Sequence, residues 1–238
     1  DIHLTEPRLI DIIEKLTSDF KNKHPEIAIE GAGVTVPGLA DSEKGIWVYA
    51  CFNGIRDFNI RDNISHILKV PVFIGNDVNV CAYGEKVYGI CKEDSDFLWI
   101  TISNGIGGGL VLNGDIYEGA FGNAGEIGHI NVVENGRLCS CGNRGCLEAH
   151  ASGRAIAQSY LEKIKNNHAE NELYSNETLV TAKTVAQAAR DGDKIAIKVY
   201  DEAGYYIGKA IAAAVNIINP QKVVLGGGVS QDFDLFID

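Results

Sequence analysis

The sequence predicts an α/β protein, and three features of its 238 residues support this class. Short apolar segments typical of buried strands alternate with amphipathic segments typical of helices, an order that favours mostly parallel strands. Glycine is frequent, at 27 residues, and many glycines stand in runs, which indicates tight turns and phosphate-type loops. The apolar fraction of 45% and the charged fraction of 22% are ordinary for a globular chain.

The first third of the chain alternates between helical and extended patterns. Residues 5–24 open with Thr-Glu-Pro, a helix start signal, and continue with apolar residues at helical spacing. Residues 27–36 and 46–50 are predicted as strands. A short helix over residues 61–70 and a short buried strand over residues 71–74 complete this part of the chain.

The middle of the chain predicts one helix, one buried strand and one hairpin. Residues 76–89 are predicted to be helical because their apolar side chains fall near one face. Residues 97–103 (FLWITIS) are predicted as a fully buried strand that ends at a glycine cluster. Residues 110–119 predict a β-hairpin whose turn is Asn113-Gly114, a dipeptide that favours the tight turns of hairpins.

The last third is mainly helical. Residues 152–166 and 181–193 predict two helices, separated by a polar loop or insertion at residues 166–178. Residues 193–218 predict a long, alanine-rich, buried helix. Residues 222–230 (KVVLGGGVS) predict a strand, a glycine turn and the start of a further helix.

Charge and hydropathy exclude several classes of function. With 21 Lys and Arg against 32 Asp and Glu, the net charge is −11, so this segment repels phosphate backbones and binds DNA only through a further domain. No stretch approaches the roughly 18 apolar residues of a membrane span, and no secretory signal opens the chain, which predicts a cytoplasmic protein. The chain has no methionine, so we expect that it begins internally or that selenomethionine positions are missing from it.

The most specific pattern combines one histidine with three cysteines at short spacing: His129-x9-Cys139-x-Cys141-x4-Cys146. Three thiolates and one imidazole form a tetrahedral zinc shell with no position left for water, which predicts a structural ion. The alternatives are three free thiols beside an unrelated histidine, or a disulfide among the three. The other cysteines stand in apolar surroundings and are predicted as core residues: Cys51, Cys81 and Cys91.

Two glycine runs each follow an apolar strand. Gly105 and Gly107–Gly109 follow the strand FLWITIS, and Gly226–Gly228 follow KVVL. Exposed backbone N–H groups in such turns can bind phosphate oxygens, although a simple hairpin turn needs glycine as well. Neither run fits the P-loop or the dinucleotide-binding pattern.

Several carboxylates stand at positions suited to binding or acid–base chemistry. Asp77 follows Asn76 at the start of a predicted helix, where it is either a cap or the group that takes a proton from a substrate hydroxyl. Glu126 lies three residues before His129, and Glu148 lies two residues after a predicted zinc ligand. These are either surface charges or rigid partners for a sugar, with the second nitrogen of His129 available to a hydroxyl.

Taken together, these residues resemble the ROK family (repressor, open reading frame, kinase). The resemblance extends from residues 33–38 (GVTVPG) to the end of the chain, and its most specific part is residues 105–153. It implies an actin-like, hexokinase-type fold with ribonuclease H-like sheets, a cleft between two α/β lobes and a zinc-bound loop. It also implies a monosaccharide ligand of the hexose class, and a homodimer or homotetramer.

The resemblance assigns roles to individual residues of this sequence. The zinc ligands that it implies are His129, Cys139, Cys141 and Cys146. The sugar contacts that it implies are Asn76, Asp77, Glu126, His129 and Glu148, with Asp77 as general base in kinase members. The phosphate and adenosine motifs, which bind ATP with Mg²⁺ in kinase members, correspond to Gly105, Gly107 and Gly108 and to Gly226, Gly227 and Gly228.

The sequence departs from the family kinases at several points. Their Asp-x-Gly-Gly-Thr phosphate loop is absent, so residues 1–90 are predicted as an N-terminal lobe without its first strands, and residues 91–238 as a C-terminal lobe that ends early. Ser103-Asn104-Gly105 replaces Gly-Thr-Gly, which removes a hydroxyl from the phosphate site. An expected Ala-Pro-Asn reads Ala50-Cys51-Phe52-Asn53, which leaves open whether Asn53 contacts the sugar.

Two functions follow from the resemblance. The first is the sugar-sensing core of a transcriptional regulator, whose DNA contacts would lie in an N-terminal domain absent from this chain. The second is an ATP-dependent sugar kinase that uses Asp77 as general base. A third hypothesis, a sugar-binding remnant with neither output, also stays open.

Overall fold

The computed structural model describes residues 5–50, 54–167 and 180–236. Its helices are α1 (Glu6–Lys23), α2 (Ile60–Leu68), α3 (Asp77–Val87), α4 (Leu147–Ala151), α5 (Gly153–Asn167), α6 (Ala182–Arg190) and α7 (Lys194–Ile218). Its strands are β1 (Ala32–Val36), β2 (Leu39–Asp41), β3 (Ile46–Tyr49), β4 (Arg56–Phe58), β5 (Val72–Asn76), β6 (Phe97–Ile102), β7 (Ile106–Leu112), β8 (Asp115–Ile116) and β9 (Lys222–Gly226). Among the described residues, 3₁₀ segments cover Ile127–His129 and Val229–Leu235.

Most of the predicted elements are present. The helix predicted over residues 5–24 is α1, the alanine-rich helix is α7, and the Asn113-Gly114 turn joins β7 to β8. Cys91 is fully buried as predicted, whereas the core position predicted for Cys81 is wrong, because this thiol is exposed on α3. Three predictions fall outside the described residues: the core position of Cys51, the sugar contact of Asn53 and the loop over residues 168–178.

The chain divides into two compact units. The first comprises Asp1–Cys81 and Glu118–Asn123, and the second comprises Ala82–Tyr117 and Ala124–Asp238. The division falls within α3, and the segment after β8 belongs to the first unit. The lobe boundary near residue 90 stays a prediction.

The first unit has a small apolar core between two sheets and two helices. β1 and β5 pair in parallel, and β2, β3 and β4 form an antiparallel sheet. Helix α2 packs on β5, and α1 packs on α2 through one apolar stripe while its other faces stay in solvent. The core includes Trp47, whose indole N–H donates to the Pro37 carbonyl at 2.9 Å, so its one polar atom is paired.

In the second unit, the described residues form a four-stranded sheet with helices on both faces. The strand order is β8-β7-β6-β9, and β6 alternates its side chains between the two faces. Leu98, Ile100 and Ile102 face the core that is formed with α4 to α7. Phe97 faces the opposite side, where Ala82 of α3 and Cys91 pack against it. Burial on both faces explains why the sequence of β6 is apolar except at Thr101.

The expectation of mostly parallel strands is wrong. Among the described strands, the parallel pairs are β1/β5 and β6/β9, and the other pairings are antiparallel. The reason is connection length, because parallel neighbours need a crossover of a dozen or more residues. The β6–β7 and β7–β8 connections are only Ser103–Gly105 and Asn113-Gly114, so these neighbours form hairpins. No described helix is both long and apolar enough to cross a membrane.

Substitution in β6 tests the importance of the core in the second unit. Ile100→Ala should lower the free energy of unfolding by about 2–5 kcal/mol, because its side chain is 1% exposed and the cavity cannot close. The control Ile217→Ala on α7 removes a side chain that is 85% exposed and should cost less than about 0.5 kcal/mol. Urea denaturation measures both, and equal losses would contradict the assignment of this core.

Candidate functional site

The predicted zinc ligands lie together in the second unit. The 3₁₀ turn Ile127–His129 presents the histidine, Cys146 precedes α4, and the two other thiols come from the intervening segment. We call residues 129–146 the zinc loop. The four ligand atoms all lie within 4.8 Å of one another. Cys139 Sγ is 3.6 Å from His129 Nδ1, and Cys141 Sγ is 3.6 Å from Cys146 Sγ.

These distances fit a tetrahedral zinc ion. Zinc–sulfur bonds of about 2.3 Å place two sulfur ligands roughly 3.8 Å apart in a tetrahedron. A sulfur–sulfur distance of 3.6 Å is close to that value and far too long for a disulfide bond. The donor set of one imidazole and three thiols is also the set that zinc prefers. The residues present therefore fit a structural zinc ion.

Glycine and backbone hydrogen bonds shape the zinc loop. Gly145 has a φ of +80°, and a Cβ there would lie 1.8 Å from the Val133 carbonyl oxygen. Its own N–H donates to the Arg137 carbonyl at 2.9 Å, and its carbonyl accepts from Val132 at 2.8 Å. The Cys139 N–H donates to the Asn143 carbonyl at 2.8 Å. The chain thus folds back between its ligands with its backbone groups paired.

Protonation of the thiols couples metal binding to proton release. Burial raises the pKa of Cys146 to about 12, whereas a backbone hydrogen bond from Asn143 lowers the pKa of Cys141. Cys146 is thus a neutral thiol near pH 7 until a cation replaces its proton. Zinc, when bound, would hold the thiolates and fix the loop, and it would leave no position for a reacting water.

His129 directs its second nitrogen away from the cysteines. Nε2 lies 3.8 Å from Glu126 Oε2, and the two side chains are 34% and 48% exposed. The ring therefore has one edge toward the metal ligands and one edge beside a carboxylate at the surface. An imidazole N–H is a hydrogen-bond donor and a carboxylate is an acceptor, and a hydroxyl group can pair with either.

Glu148 is half-buried in the second unit, and hydrogen bonds hold its carboxylate. Its Oε2 accepts the backbone N–H of Ile106 at 3.0 Å, and its Oε1 accepts from the Ser140 hydroxyl at 3.4 Å. A Cβ on Gly105 would lie 2.5 Å from Oε2, so the glycine admits the carboxylate. Glu148 on α4 therefore connects the zinc loop to the β6–β7 hairpin.

The first glycine run is mainly strand and only partly turn. Gly107, Gly108 and Gly109 belong to β7, and the turn itself is Ser103–Gly105. A Cβ on Gly108 would lie 2.4 Å from the Gly125 carbonyl oxygen. The run Gly105–Gly109 thus includes the end of a hairpin turn and the start of β7, and Gly108 lets the segment before His129 pack directly on the β7 backbone.

The second glycine run borders a cavity of about 510 Å³ within the second unit. Gly227 has a φ of +91°, and a Cβ there would lie 2.4 Å from the Ile102 carbonyl oxygen. The cavity brings Gly228 together with Ser103 and Asn104 of the β6–β7 turn. Sequence reasoning missed several of its polar lining residues: Arg154, Thr181, Lys183 and Asp232. No local sequence pattern indicates the role of Arg154, because its partner is distant in sequence. Its Nε donates to the carbonyl of Asn104, fifty residues earlier, at 3.1 Å.

Asn76 and Asp77 lie in the first unit, where β5 leads directly into α3. Asn76 Oδ1 accepts the N–H groups of Val78 and Asn79 at 2.9 and 3.0 Å, and its Nδ2 donates to the Gly38 carbonyl at 2.8 Å. Asn76 is therefore the helix cap. Burial raises the pKa of Asp77 above its usual value, which makes this carboxylate a better proton acceptor.

Comparison with known proteins identifies the family. The ROK family model matches residues 3–237, almost the full length of the sequence. The chain belongs to the ROK family. Its fold is similar to that of a solved ROK family transcriptional regulator, a homolog of the E. coli MLC protein, with a TM-score of 0.89 and 30% identity. The match covers 99% of this chain and 59% of that chain. The expected actin-like, hexokinase-type fold agrees with this result.

The relatives of this ROK protein include both kinases and repressors. It is 39% identical to a glucokinase of Halalkalibacterium halodurans over 98% of this chain and 71% of that protein. It is 33% identical to the E. coli regulator NagC over 95% of this chain, and spans 54% of that protein. The solved ROK glucokinase from Streptomyces griseus, in complex with glucose and AMPPNP, has a TM-score of 0.81, 29% identity and coverage of 96% of this chain and 75% of that chain.

Metal analysis tests the zinc ligands. Freshly purified protein should contain about one equivalent of zinc per chain, and Cys146→Ser should contain less than about half an equivalent, because three ligands hold the ion more weakly. Cys81→Ser is the matched control, since this exposed thiol lies outside the cluster. Mass spectrometry with an inductively coupled plasma measures the metal. Unchanged zinc in Cys146→Ser would contradict the ligand assignment.

Proposed function

We propose that this chain is the monosaccharide-binding core of a ROK-family transcriptional regulator. The observation that carries the proposal is the match to the ROK regulator structure, which covers 99% of this chain at a TM-score of 0.89. The regulator relatives extend well beyond the matched region, since the chain spans 54% of NagC and 57% of the Bacillus subtilis xylose repressor. DNA contact would belong to another part of such a protein, because the net charge of −11 disfavours contact between this segment and phosphates.

The residues proposed to bind the sugar are polar and rigidly held. In the second unit, Glu126 and the Nε2 edge of His129 offer an acceptor and a donor, and Glu148 contributes a carboxylate. In the first unit, Asn76 and Asp77 are fixed by the start of α3. Such groups pay little conformational entropy when a ligand with several hydroxyls binds. Zinc, when bound, would act only by fixing the loop that carries His129.

The sugar would regulate DNA binding if it had a higher affinity for one conformation of the protein than for the other. A ligand shifts a conformational equilibrium only by the difference between its affinities for the two states. In a homodimer, such a shift would change the spacing of two DNA-reading heads. The names of the relatives, which include xylose and N-acetylglucosamine repressors, support a monosaccharide as the effector.

A second candidate function is an ATP-dependent sugar kinase, favoured by the glucokinase relative and by the cavity beside Gly228. Arg154 and Lys183 give this cavity two cations that suit a polyphosphate. Asp77 would take the proton of a sugar hydroxyl while the sugar oxygen bonds to the terminal phosphorus of ATP and the bond to ADP breaks. Mg²⁺ would neutralise charge on the phosphates.

Replacement of Asp77 distinguishes the two functions. In a regulator, Asp77→Ala should weaken sugar binding by about 10–100-fold, because one hydrogen bond to a charged group is lost. A regulator has no catalytic turnover, so no change in ADP release is expected. In a kinase, the same change should lower kcat by about 10²–10⁴-fold through loss of the base. Titration calorimetry with a panel of aldoses and N-acetylated hexosamines, together with an ADP-release assay, measures both quantities.

The control for this experiment is Asp115→Ala, which removes an exposed carboxylate from the β7–β8 hairpin. Both the sugar affinity and any ADP release should be unchanged in this variant. Rapid ADP release by the unaltered protein would refute the pure regulator, and no binding across the panel would refute both candidates.

A further inference from the structure

Arg137 connects the zinc loop to the neighbouring helices although it is not a zinc ligand. Its guanidinium donates to the Ser159 hydroxyl at 2.8 Å and to Glu162 Oε2 at 2.6 Å, both on α5. A longer contact of 3.5 Å reaches the Ala149 carbonyl on α4. Ser159 is 8% exposed, so the guanidinium reaches the surface of the core. Arg137 stands two residues before Cys139 and therefore fixes the segment that delivers this thiol.

His150 holds the backbone of the same residue. The Arg137 N–H donates to His150 Nε2 at 3.1 Å, so Nε2 is unprotonated and the proton of the neutral ring is on Nδ1. A Cβ on Gly136 would lie 2.4 Å from that nitrogen, which shows how closely the loop approaches the ring. The ring of Tyr206 on α7 packs on the imidazole edge to face, with centroids 5.5 Å apart.

We infer that Arg137 and His150 are positioning residues that dock the zinc loop on α4 and α5, so that Cys139 and Cys141 meet His129 and Cys146. Side chains outside the ligand set commonly orient metal ligands, and their loss weakens metal binding by 10–100-fold. A docked loop loses less conformational entropy when the ion binds. The inference rests on the proposed function at one point: the zinc loop contains His129, which is proposed to contact the sugar.

At acidic pH the zinc loop should detach from α4, because a protonated His150 has no lone pair to accept the Arg137 N–H. Burial lowers the pKa of His150 below its usual value, and the Arg137 guanidinium lowers it further, against an opposing effect of Glu162. The other groups around the ring are Tyr206 and the Lys163–Glu202 ion pair at 2.9 Å. Docking is therefore fully stable above the usual histidine pKa of about 6.5 and weakens as the pH falls below it.

Competition with a chromophoric chelator measures the zinc affinity of each variant at pH 7.5. Arg137→Ala should bind zinc about tenfold more weakly than the unaltered protein. Arg144→Ala is the matched control from the same loop, because its guanidinium donates at 3.3 Å to Gly136 within the loop itself, and its affinity should change less than twofold. Lys209 on α7 still donates to the Val132 carbonyl at 2.8 Å in both variants and supports the fold of the loop.

Ser159→Ala provides a milder variant, should Arg137→Ala fail to fold. It removes one acceptor of the guanidinium and should weaken zinc binding by about threefold. Equal zinc affinities in the unaltered protein, Ser159→Ala and Arg144→Ala would overturn the inference.

A pH profile separates positioning from a general effect on stability. The rate of zinc release should rise between pH 7.5 and 5.5 in both the unaltered protein and His150→Gln, but the rise should be about threefold larger in the unaltered protein. The reason is that the amide oxygen of the glutamine accepts the Arg137 N–H at every pH, whereas the imidazole does so only when it is neutral. Both proteins share the four zinc ligands, so protonation of the thiols cancels in the comparison. Identical profiles would overturn the role of His150.

The zinc measurements require no sugar, so the two proposals can fail separately. A chain that binds no monosaccharide but shows the expected zinc differences would refute the proposed function and support the docking role. A chain that binds sugar while Arg137→Ala and Arg144→Ala release zinc equally would refute the docking role alone.

Discussion

The arrangement of the second unit depends on direct contact between backbones, which glycine alone permits. Gly108 of β7 lies against the Gly125 carbonyl, and a Cβ on Gly128 would lie 2.0 Å from the carbonyl of Ile106. With no side chains between them, the segment that carries Glu126 and His129 rests on the strand itself. A larger residue at any of these positions would push the histidine away from the three thiols.

Two further contacts convert this packing into a single rigid assembly. Glu148 accepts the N–H of Ile106, so the hairpin at the end of β6 and the helix after Cys146 are held by one carboxylate. Arg137 and His150 connect the opposite side of the zinc loop to α4 and α5. Within the second unit, the metal ligands, the proposed sugar contacts Glu126, His129 and Glu148, and the glycine hairpin therefore share supports, and disturbance of one should be transmitted to the others.

Much of this arrangement could be predicted from the sequence, because local signals encode it. Helical periodicity predicted α1 and α7, Asn113-Gly114 predicted a turn, and the His129/Cys spacing identified a cluster that the structure brings together. β2 and β4 were not predicted because they have three residues each, too few for a periodic signal. The expected strand direction was wrong because short connections join β6, β7 and β8 into hairpins. Arg154 and Arg137 were missed because their partners are distant in sequence or depend on how the loop lies on the helices.

The direct passage from β5 into α3 has a consequence for substitutions at position 77. Asn76 accepts the N–H groups of Val78 and Asn79 and anchors itself on Gly38, and Asp77 Oδ1 also accepts the Val78 N–H at 3.0 Å. Loss of the Asp77 carboxylate would remove one of the two acceptors of the Val78 N–H and leave the cap by Asn76 in place. A substitution at position 77 would therefore alter a proposed sugar contact while α3 keeps its first hydrogen bonds.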